Sequence, residues 1–372
     1  MLINLAYLIE RPTGTTAYAL NLLPHLHKLS PTYLATPASG LDRRKPEYIA
    51  VPDNMTQGSL GHARRLAWTQ LQLPKFCKGD RLLFSPIPEA PLSVGHRRYR
   101  SVVTFHDLIP LRFPEIFGTI KYYYRHYVPQ VLAQADQVLC NSEATARDVF
   151  NFYNLPTHKI TTILLAHDAE HFQPVFSPIK QLKEQLFNSL GGFDIAARPY
   201  FLIVGRHAPY KNIKTAILAI KALPDHVLII AGPEDPRYTT DLKTLADDTG
   251  VSSQVQFVSY VPYAQLPALM SGAIALVFSS LWEGFGIPVL EAMACGTPVI
   301  TSKVASLPEV AGEAAYFVKN PEDAEELGRA MEAITADTQV QRQLSEAGLQ
   351  QAKQFSWEKT GRATAEVLRH YL

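Results

Sequence analysis

Short apolar runs alternate with amphipathic segments along almost the whole chain. A short, unbroken apolar run is typical of a strand buried on both faces, whereas apolar positions that recur every three or four residues indicate a helix. The first kind is found at 2–8, 81–85, 101–105, 136–140, 159–165, 200–205, 226–232, 255–259, 273–279, 298–301 and 314–318. Because such strands separated by helices pair in parallel, the pattern predicts an α/β protein with doubly wound parallel sheets.

Helical segments are predicted between most of these strands, at 13–29, 117–134, 142–152, 212–222, 237–248, 264–271, 288–294, 321–334, 338–354 and 357–372. The alternation is interrupted over 172–199, which contains three prolines and two adjacent glycines. We therefore predict two domains in tandem, 1–172 and 173–355. Open sheets of this kind bind ligands beyond the carboxyl ends of their strands, so the pair predicts a cleft between the domains.

Length and composition agree with two globular domains. The chain has 372 residues, of which 47% are hydrophobic and 19% charged. A net charge of +1 argues against general attraction to nucleic acid, although residues 1–170 carry +5 and residues 171–372 carry −4. The basic first half is compatible with peripheral contact to an anionic membrane surface, and equally with ordinary scatter of surface charge.

The remaining composition signals indicate a reducing compartment. The three cysteines, Cys77, Cys140 and Cys295, show no CxxC spacing, and the first residues lack the basic start of a signal peptide. No apolar stretch approaches the roughly 18–20 residues that span a bilayer. We predict a cytoplasmic protein; the oligomeric state is not predicted.

The first candidate site follows the strand at 200–205. Gly205 permits close approach of a ligand to the backbone, and Arg206 and Lys211 add two positive charges near the start of the next helix. A helix N-terminus already favours anions, so the segment predicts a diphosphate site. The alternative is that both cations are solvated loop charges.

The second candidate site is the segment WEGFGIPVLEAMACGTPVI, which follows the strand at 273–279. Glu283 and Glu291 stand in an E-x7-E spacing, with Gly284 and Gly286 between them before a helix that starts near Pro288. One carboxylate is thus predicted at the mouth of the helix and the other about one turn inside it. Two glutamates at such a place also occur simply as capping and helix-dipole residues.

This E-x7-E segment resembles the signature of retaining GT-B glycosyltransferases of family 4. The resemblance is strong over 199–335, clear over 101–170 and weak over 1–100. It implies two Rossmann-like domains that face a cleft, the first binding the acceptor and the second the nucleotide sugar, with the helix 356–372 packing back on the first domain. It also implies transfer of a hexose from a nucleoside-diphosphate sugar, of the GDP-mannose or UDP-glucose type. The acceptor would be a hydroxyl of a glycan, a lipid-linked saccharide or a small molecule.

The resemblance also implies roles for individual residues. Arg206 and Lys211 would hold the diphosphate, Glu283 would bind sugar hydroxyls, Glu291 would bind the ribose, and His106 would face the transferred sugar. Tyr260 and Val261 would bind the base, largely through main-chain atoms, and Gly14 would approach the phosphates. The backbone N–H groups of Phe285 and Gly286 would bind sugar hydroxyls, and the remaining donor-binding candidates are Gly205, Gly284 and Ile287. Gly14 departs from the family, since many members carry paired glycines where this chain reads Pro-Thr-Gly-Thr.

No metal or other cofactor is expected beyond the nucleotide sugar itself. The sequence contains no HExxH motif and no DxD-like carboxylate triplet, in agreement with a site where protein cations neutralise the diphosphate. The family's usual account is front-face attack, in which the departing phosphate accepts the proton of the acceptor. Two alternatives stay open: a nucleotide-sugar epimerase on the same fold, and a catalytically silent nucleotide-binding subunit.

Overall fold

The computed structural model describes residues 1–9, 14–39, 41, 47–52, 55, 58–77, 81–92, 99–176 and 198–372. The chain forms two compact units, Met1–Leu165 together with Trp357–Leu372, and Ala166–Ser356. Most of the stretch 172–199, predicted to cross between domains, lies outside the described residues. None of the helices in the described ranges has the length and apolar character needed to cross a bilayer.

In its described residues, the first unit contains a parallel sheet of seven strands. They are β1 Leu2–Leu5, β2 Thr32–Ala35, β3 Tyr48–Ala50, β4 Leu82–Ser85, β5 Arg100–Phe105, β6 Gln137–Cys140 and β7 Ile160–Thr162. Their spatial order is β3-β2-β1-β4-β5-β6-β7, with Ile3 opposite Tyr33 on one side and Phe84 on the other. Strands β2 and β3 therefore lie on one side of β1 and strands β4 to β7 on the other, so the strand order reverses between β1 and β4. In open α/β sheets this switch point is where ligands bind.

The helices of the first unit are α1 Gly14–Leu26, α2 Gly58–Leu71, α3 Leu73–Phe76, α4 Ile109–Arg112, α5 Ile120–Tyr122, α6 Val128–Gln134, α7 Glu143–Tyr153 and the C-terminal helix Trp357–His370. A π-helical turn over Tyr123–Tyr127 joins α5 to α6, where the sequence predicts one regular helix. Tyr123, Tyr124 and Tyr127 pack against the core of the unit, whereas Tyr122 is half exposed. The aromatic run is thus mainly a packing face of its own domain.

The C-terminal helix packs against α1 of the first unit. A Cβ atom at Gly361 would lie 2.2 Å from Cβ of His25, so only glycine permits this close approach. Thr360 donates to the carbonyl oxygen of Leu164 at 2.7 Å, and the Tyr371 hydroxyl donates to Gln137 at 2.9 Å. The end of the chain is therefore part of the first unit.

The second unit repeats the architecture with a parallel sheet of six described strands. These are β8 Tyr200–Val204, β9 Val227–Ala231, β10 Val255–Val258, β11 Ala275–Phe278, β12 Val299–Ser302 and β13 Tyr316–Val318, in the order β10-β9-β8-β11-β12-β13. The helices around it are α8 Ile213–Ala219, α9 Thr239–Asp248, α10 Leu266–Ser271, α11 Ile287–Ala294, α12 Leu307–Ala311, α13 Ala324–Ala336 and α14 Thr338–Ala352. Its switch point lies between β8 and β11. The predicted fold class, two doubly wound parallel α/β sheets, is confirmed.

The boundary between the units differs from the predicted 172/173. Residues 166–172 group with the second unit, because the ring of His171 stacks on Tyr263 with 4.0 Å between the centroids and the Phe172 ring meets Tyr263 edge-on. These aromatic contacts attach the segment to the start of α10.

Candidate active site

The carboxyl ends of β8 and β11 bring together the two motifs of the second unit. Gly205 directly follows β8 with φ of +155°, a conformation that favours glycine. A Cβ atom on the neighbouring Gly232, which follows β9, would lie 2.0 Å from the Gly205 carbonyl oxygen. The two glycines therefore let adjacent loops touch, and the structure adds Gly232 to the predicted site residues.

A buried ion pair joins the two motifs. The Lys211 ammonium lies 2.6 Å from Oε1 of Glu283, and the exposed fractions of the two side chains are 15% and 9%. Two bonds fix the loops that carry them: Leu281 N–H donates to the Tyr210 carbonyl at 2.7 Å, and the Asn212 amide donates to the Ser279 carbonyl at 3.1 Å. Lys211 ends the short 3₁₀ turn Pro209–Lys211 rather than starting the helix, which begins at Ile213.

Arg206 stands at the exposed rim of the same site. It is one of the charges that lower the pKa of Asp235, although the largest cause is the hydrogen bond from Arg237. The positive charge of Arg206 is thus in contact with solvent, while that of Lys211 is enclosed beside Glu283. An anion at this edge would meet one solvent-exposed cation and one enclosed cation.

The loop before α11 is buried and held rigidly. Ser306 donates from its hydroxyl, which is shared between the carbonyl oxygens of Glu283 at 3.0 Å and Phe285 at 2.8 Å. Gly286 caps the helix with φ of +102°, and α11 begins at Ile287. Gly284, Phe285 and Gly286 are all buried, and Ile287 is half-buried. These backbone groups therefore lie at the mouth of α11, next to the Lys211–Glu283 pair.

Glu291 lies one turn further into α11, next to groups that the sequence analysis did not identify. Burial raises the pKa of Glu291 to about 8, and the nearby Asp168 carboxylate adds to this effect. Asp168 accepts a hydrogen bond from the Tyr263 hydroxyl at 3.4 Å. Of the two predicted base-binding residues, Tyr260 is 72% exposed and Val261 is buried. Tyr260 is therefore accessible to a planar ligand.

The first unit has a cavity of its own at the ends of β1, β4 and β5. His106 lies in its wall, where the His106 Nε2 atom is 2.8 Å from the Pro86 carbonyl oxygen and the ring meets Tyr18 edge-on at 5.0 Å. Burial lowers the pKa of His106 to about 4, so the ring is neutral at physiological pH. Gly14 is the first, exposed residue of α1, and the preceding residues 10–13 lie outside the described part of the chain.

Sequence reasoning missed the buried ion pair of this cavity. Arg65 on α2 and Glu89 after β4 form a two-pronged bond, with distances of 2.8 Å from Nη2 to Oε1 and 2.9 Å from Nε to Oε2. Neither residue belongs to a recognisable motif, and the helix that carries Arg65 was not predicted. Across the described ranges, no group of three or more His, Cys, Asp or Glu side chains is arranged to hold a metal ion.

Two family models match the chain, one over each half. Residues 12–171 match the model "Glycosyltransferase Family 4", and residues 194–351 match "Glycosyl transferases group 1". The two matched ranges correspond approximately to the two compact units, and the last helix lies outside both of them.

Curated relatives and a solved structure agree with these models. The chain is 30% identical over 304 residues to the O-antigen chain mannosyltransferase B of Escherichia coli, and the aligned region covers 80% of this chain and 75% of the relative. It is 27% identical over 241 residues to the D-inositol 3-phosphate glycosyltransferase of Corynebacterium glutamicum, covering 62% of this chain and 56% of that protein. HepE of Anabaena, solved with UDP and glucose, superposes with a TM-score of 0.77 at 21% identity and full coverage of both chains. Together with the two parallel sheets, these likenesses confirm the GT-B fold.

Proposed function

The chain belongs to glycosyltransferase family 4, and on that premise we propose that it transfers mannose from GDP-mannose to a hydroxyl of a glycan. UDP-glucose is the alternative donor. The mannosyl donor is favoured by the name of the E. coli relative, which is a mannosyltransferase. The single observation that carries the proposal is the buried Lys211–Glu283 pair at the mouth of α11, with Arg206 at its rim.

In the proposed donor complex, the diphosphate lies between Arg206 and Lys211. An ammonium can donate three hydrogen bonds, so Lys211 can keep its bond to Glu283 and still contact a phosphate oxygen. Glu283 and the backbone N–H groups of Phe285 and Gly286 would bind hydroxyls of the sugar. Glu291 would bind the ribose. The base would lie against Tyr260 and Val261, and Gly14 would approach the phosphates.

The proposed reaction retains the anomeric configuration. The bond between C1 and the phosphate oxygen breaks while the acceptor oxygen bonds to C1 on the same face, and the departing phosphate takes the proton of the acceptor. Negative charge grows on the phosphate, and Arg206 and Lys211 stabilise it where it forms. These cations would do so without a divalent metal ion. His106 would contact the transferred sugar in its neutral form.

A panel of nucleotide sugars tests which donor the protein binds. Thermal shift with GDP-mannose, UDP-glucose and their nucleoside diphosphates should show stabilisation by the GDP compounds above all, in EDTA as well as in Mg²⁺. Release of GDP against saccharide acceptors, with the product's anomeric signal read by NMR, then tests transfer and retention. Conversion of GDP-mannose to an epimeric GDP-sugar in the absence of acceptor would instead identify an epimerase. Binding of the nucleotide sugar with neither transfer nor epimerisation would identify a silent subunit.

We also propose that the protein works at the cytoplasmic face of a membrane, on a glycan or a lipid-linked saccharide. The excess of basic residues over 1–170 supports this placement. Co-sedimentation with vesicles that contain phosphatidylglycerol should be strong at low salt and weak at about 0.5 M salt, since screening shortens the reach of charge. Equal sedimentation with neutral and anionic vesicles would contradict it.

A further inference from the structure

The C-terminal helix of the first unit begins with a large aromatic side chain, Trp357. Its ring centroid lies 6.3 Å from that of Tyr18 on α1, at an interplanar angle of 49°. Tyr18 in turn meets His106 edge-on, with 5.0 Å between the ring centroids. All three residues belong to the first unit. The aromatic row Trp357–Tyr18–His106 therefore leads from the first residue of this helix to the histidine that follows β5.

Tyr18, the middle ring of the row, is buried and anchored to the same strand that leads to His106. Its residue is 2% exposed, and its hydroxyl oxygen lies 3.0 Å from the hydroxyl oxygen of Thr104. Thr104 is a buried residue of β5, two positions before His106. Edge-to-face contact is a preferred arrangement of aromatic rings. Tyr18 therefore restricts the rotation of the His106 ring.

The His106 ring is held on another side by the Pro86 carbonyl oxygen, which lies 2.8 Å from Nε2. A carbonyl oxygen only accepts hydrogen bonds, so Nε2 carries the ring proton and Nδ1 carries the lone pair. Burial lowers the pKa of His106 to about 4, which preserves this neutral form near pH 7. The ring that would contact the transferred sugar is thus held in one tautomer and one orientation, with Tyr18 as its aromatic support.

Trp357 supports Tyr18 by packing alone. Nε1 of Trp357 is buried, and it has no hydrogen-bond acceptor in the part of the chain that the structure describes. The helix that starts at Trp357 is fixed on α1, because a Cβ atom at Gly361 would lie 2.2 Å from the Cβ atom of His25. Backbone packing therefore sets the place of the Trp357 ring beside Tyr18.

Phe355, two residues before Trp357, has an aromatic partner of its own in the second unit. The chain passes from the second unit to the first between Ser356 and Trp357, and we call Phe355–Trp357 the crossing segment. Phe355 is 8% exposed, and its ring lies 6.1 Å from that of Phe285 at an angle of 75°. Phe285 belongs to the loop of Glu283. Each aromatic end of the crossing segment thus packs next to a part of the proposed reaction site.

Resting on the proposed function, we propose that Trp357, acting through Tyr18, is a positioning residue for His106. Phe355 has the corresponding role for the donor loop, since it supports the backbone N–H of Phe285 that would bind a sugar hydroxyl. The two ends of the crossing segment therefore act on different steps. Loss of the Trp357 ring impairs transfer, and loss of the Phe355 ring impairs binding of the sugar.

Imidazole ¹⁵N NMR on the full chain tests the positioning of His106 without depending on activity. The signals of His106 are assigned by their absence in His106→Ala. In wild type they should show the Nε2–H tautomer alone near neutral pH. In Trp357→Leu and Tyr18→Leu the other tautomer should appear, and the pKa of His106 should rise toward the ordinary value of about 6.5. Trp357→Phe should keep the wild-type signals, because the ring is retained and the lost N–H has no acceptor in the described residues.

A double-mutant cycle tests the consequence for the reaction. Trp357→Leu should lower kcat at least about tenfold and change GDP affinity by less than about twofold. In the His106→Ala background the same substitution should change kcat by less than about twofold, because it acts only through the histidine. Phe355→Leu should instead raise KM for the nucleotide sugar at least about fivefold with kcat within about twofold of wild type.

Trp68→Leu is the matched control, since Trp68 is a buried tryptophan of the same unit whose ring packs 6.4 Å from that of Phe76, outside the aromatic row. It should leave kcat and the His106 signals unchanged. Where a leucine variant does not fold, Tyr18→Phe replaces it: loss of the bond to Thr104 should produce the same changes in the His106 signals in weaker form.

Unchanged His106 signals in the Tyr18 and Trp357→Leu variants would overturn the inference. So would a loss of kcat in Trp357→Leu that is equally large with and without His106, or a loss as large in Trp68→Leu. Failure of the wild-type protein to bind GDP or to turn over a nucleotide sugar would overturn the proposed function instead, and the His106 signals would then decide the positioning by themselves.

Discussion

Removing Lys211 tests the electrostatic core of the donor site. Lys211→Ala deletes a cation that lies 2.6 Å from Glu283 in a largely enclosed position. Loss of one group that stabilises growing negative charge costs about 2–4 kcal/mol of transition-state stabilisation. At about 1.36 kcal/mol for each factor of ten, kcat/KM for donor turnover should fall by roughly 30- to 900-fold. The kcat/KM of Arg206→Ala should fall by a similar factor, because Arg206 is predicted to act on the same phosphates.

The effect of Lys211→Ala on stability needs a control of its own. Lys211→Ala leaves the Glu283 carboxylate, whose side chain is 9% exposed, without its cation, and breaking a buried pair in this way costs about 3–5 kcal/mol. The variant Lys211→Ala/Glu283→Gln removes both charges and should regain most of that stability while remaining inactive. Lys243→Ala breaks an exposed pair with Glu234, at 3.2 Å, and should change stability by less than about 1 kcal/mol and activity by less than about twofold.

The assay is the initial rate of nucleoside diphosphate release at donor concentrations below KM, at a temperature where circular dichroism shows each variant folded. Turnover of the Arg206→Ala/Lys211→Ala double variant within about twofold of wild type would refute the reasoning. So would a Lys243→Ala variant that lost as much activity as Lys211→Ala.

Three further predictions follow from the described geometry. Wild-type stability should fall as the pH rises from about 6.5 to 8, because the pKa of Glu291, raised to about 8, keeps a proton on the folded state that the unfolded state has already lost. Below that range the lowered pKa of His106 acts in the opposite direction, since the unfolded state binds the proton that the folded state has lost. Glu291→Gln should abolish that slope in thermal unfolding and Asp168→Asn should reduce it; an unchanged slope in Glu291→Gln would count against the assigned cause. Gly232→Ala should destroy nucleotide affinity or folding, since its Cβ would lie 2.0 Å from the Gly205 carbonyl oxygen. Gly250→Ala meets no atom within 4 Å, so it should keep nucleotide affinity and lose only the stability that its φ of +73° costs an alanine; calorimetry showing equal loss of affinity in both would contradict this. His106→Ala should lower kcat at least about tenfold and leave GDP affinity intact. The pH profile of the rate between pH 5.5 and 8 should keep its shape, because the pKa of His106 is lowered to about 4. Loss of an ionisation from the profile in that range would show that the histidine is charged.

The central strands of both sheets could be predicted because each is an unbroken apolar run buried on both faces. Two strands of the first sheet, Thr32–Ala35 and Tyr48–Ala50, escaped prediction, since they are short and the second is an edge strand with no buried position. Helix Gly58–Leu71 was missed for a related reason: its glycines and scattered charges hide the apolar face. The π-helical turn at Tyr123–Tyr127 has no signature in the sequence that distinguishes it from a regular helix.

The candidate residues of the donor site could be named from local motifs, whereas the contacts among them could not. Lys211 and Glu283 were each identified from a local motif, but their bond depends on β8 lying beside β11 in the sheet, which no local pattern specifies. Asp168 was missed because its nearness to Glu291 arises from the packing of residues 166–172 on the second unit. The Arg65–Glu89 pair was missed because an arginine on a polar helix is usually solvated.

Titration calorimetry with GDP and UDP tests the central claim, that a pyrophosphate binds beside the Lys211–Glu283 pair at the mouth of α11. Wild type should bind at least one of the two nucleotides, and Arg206→Ala/Lys211→Ala and Glu283→Ala/Glu291→Ala should each weaken that affinity at least about tenfold, with Lys243→Ala as wild type. No measurable nucleotide affinity in the folded wild-type protein, or affinity that survives both double substitutions, would contradict the account.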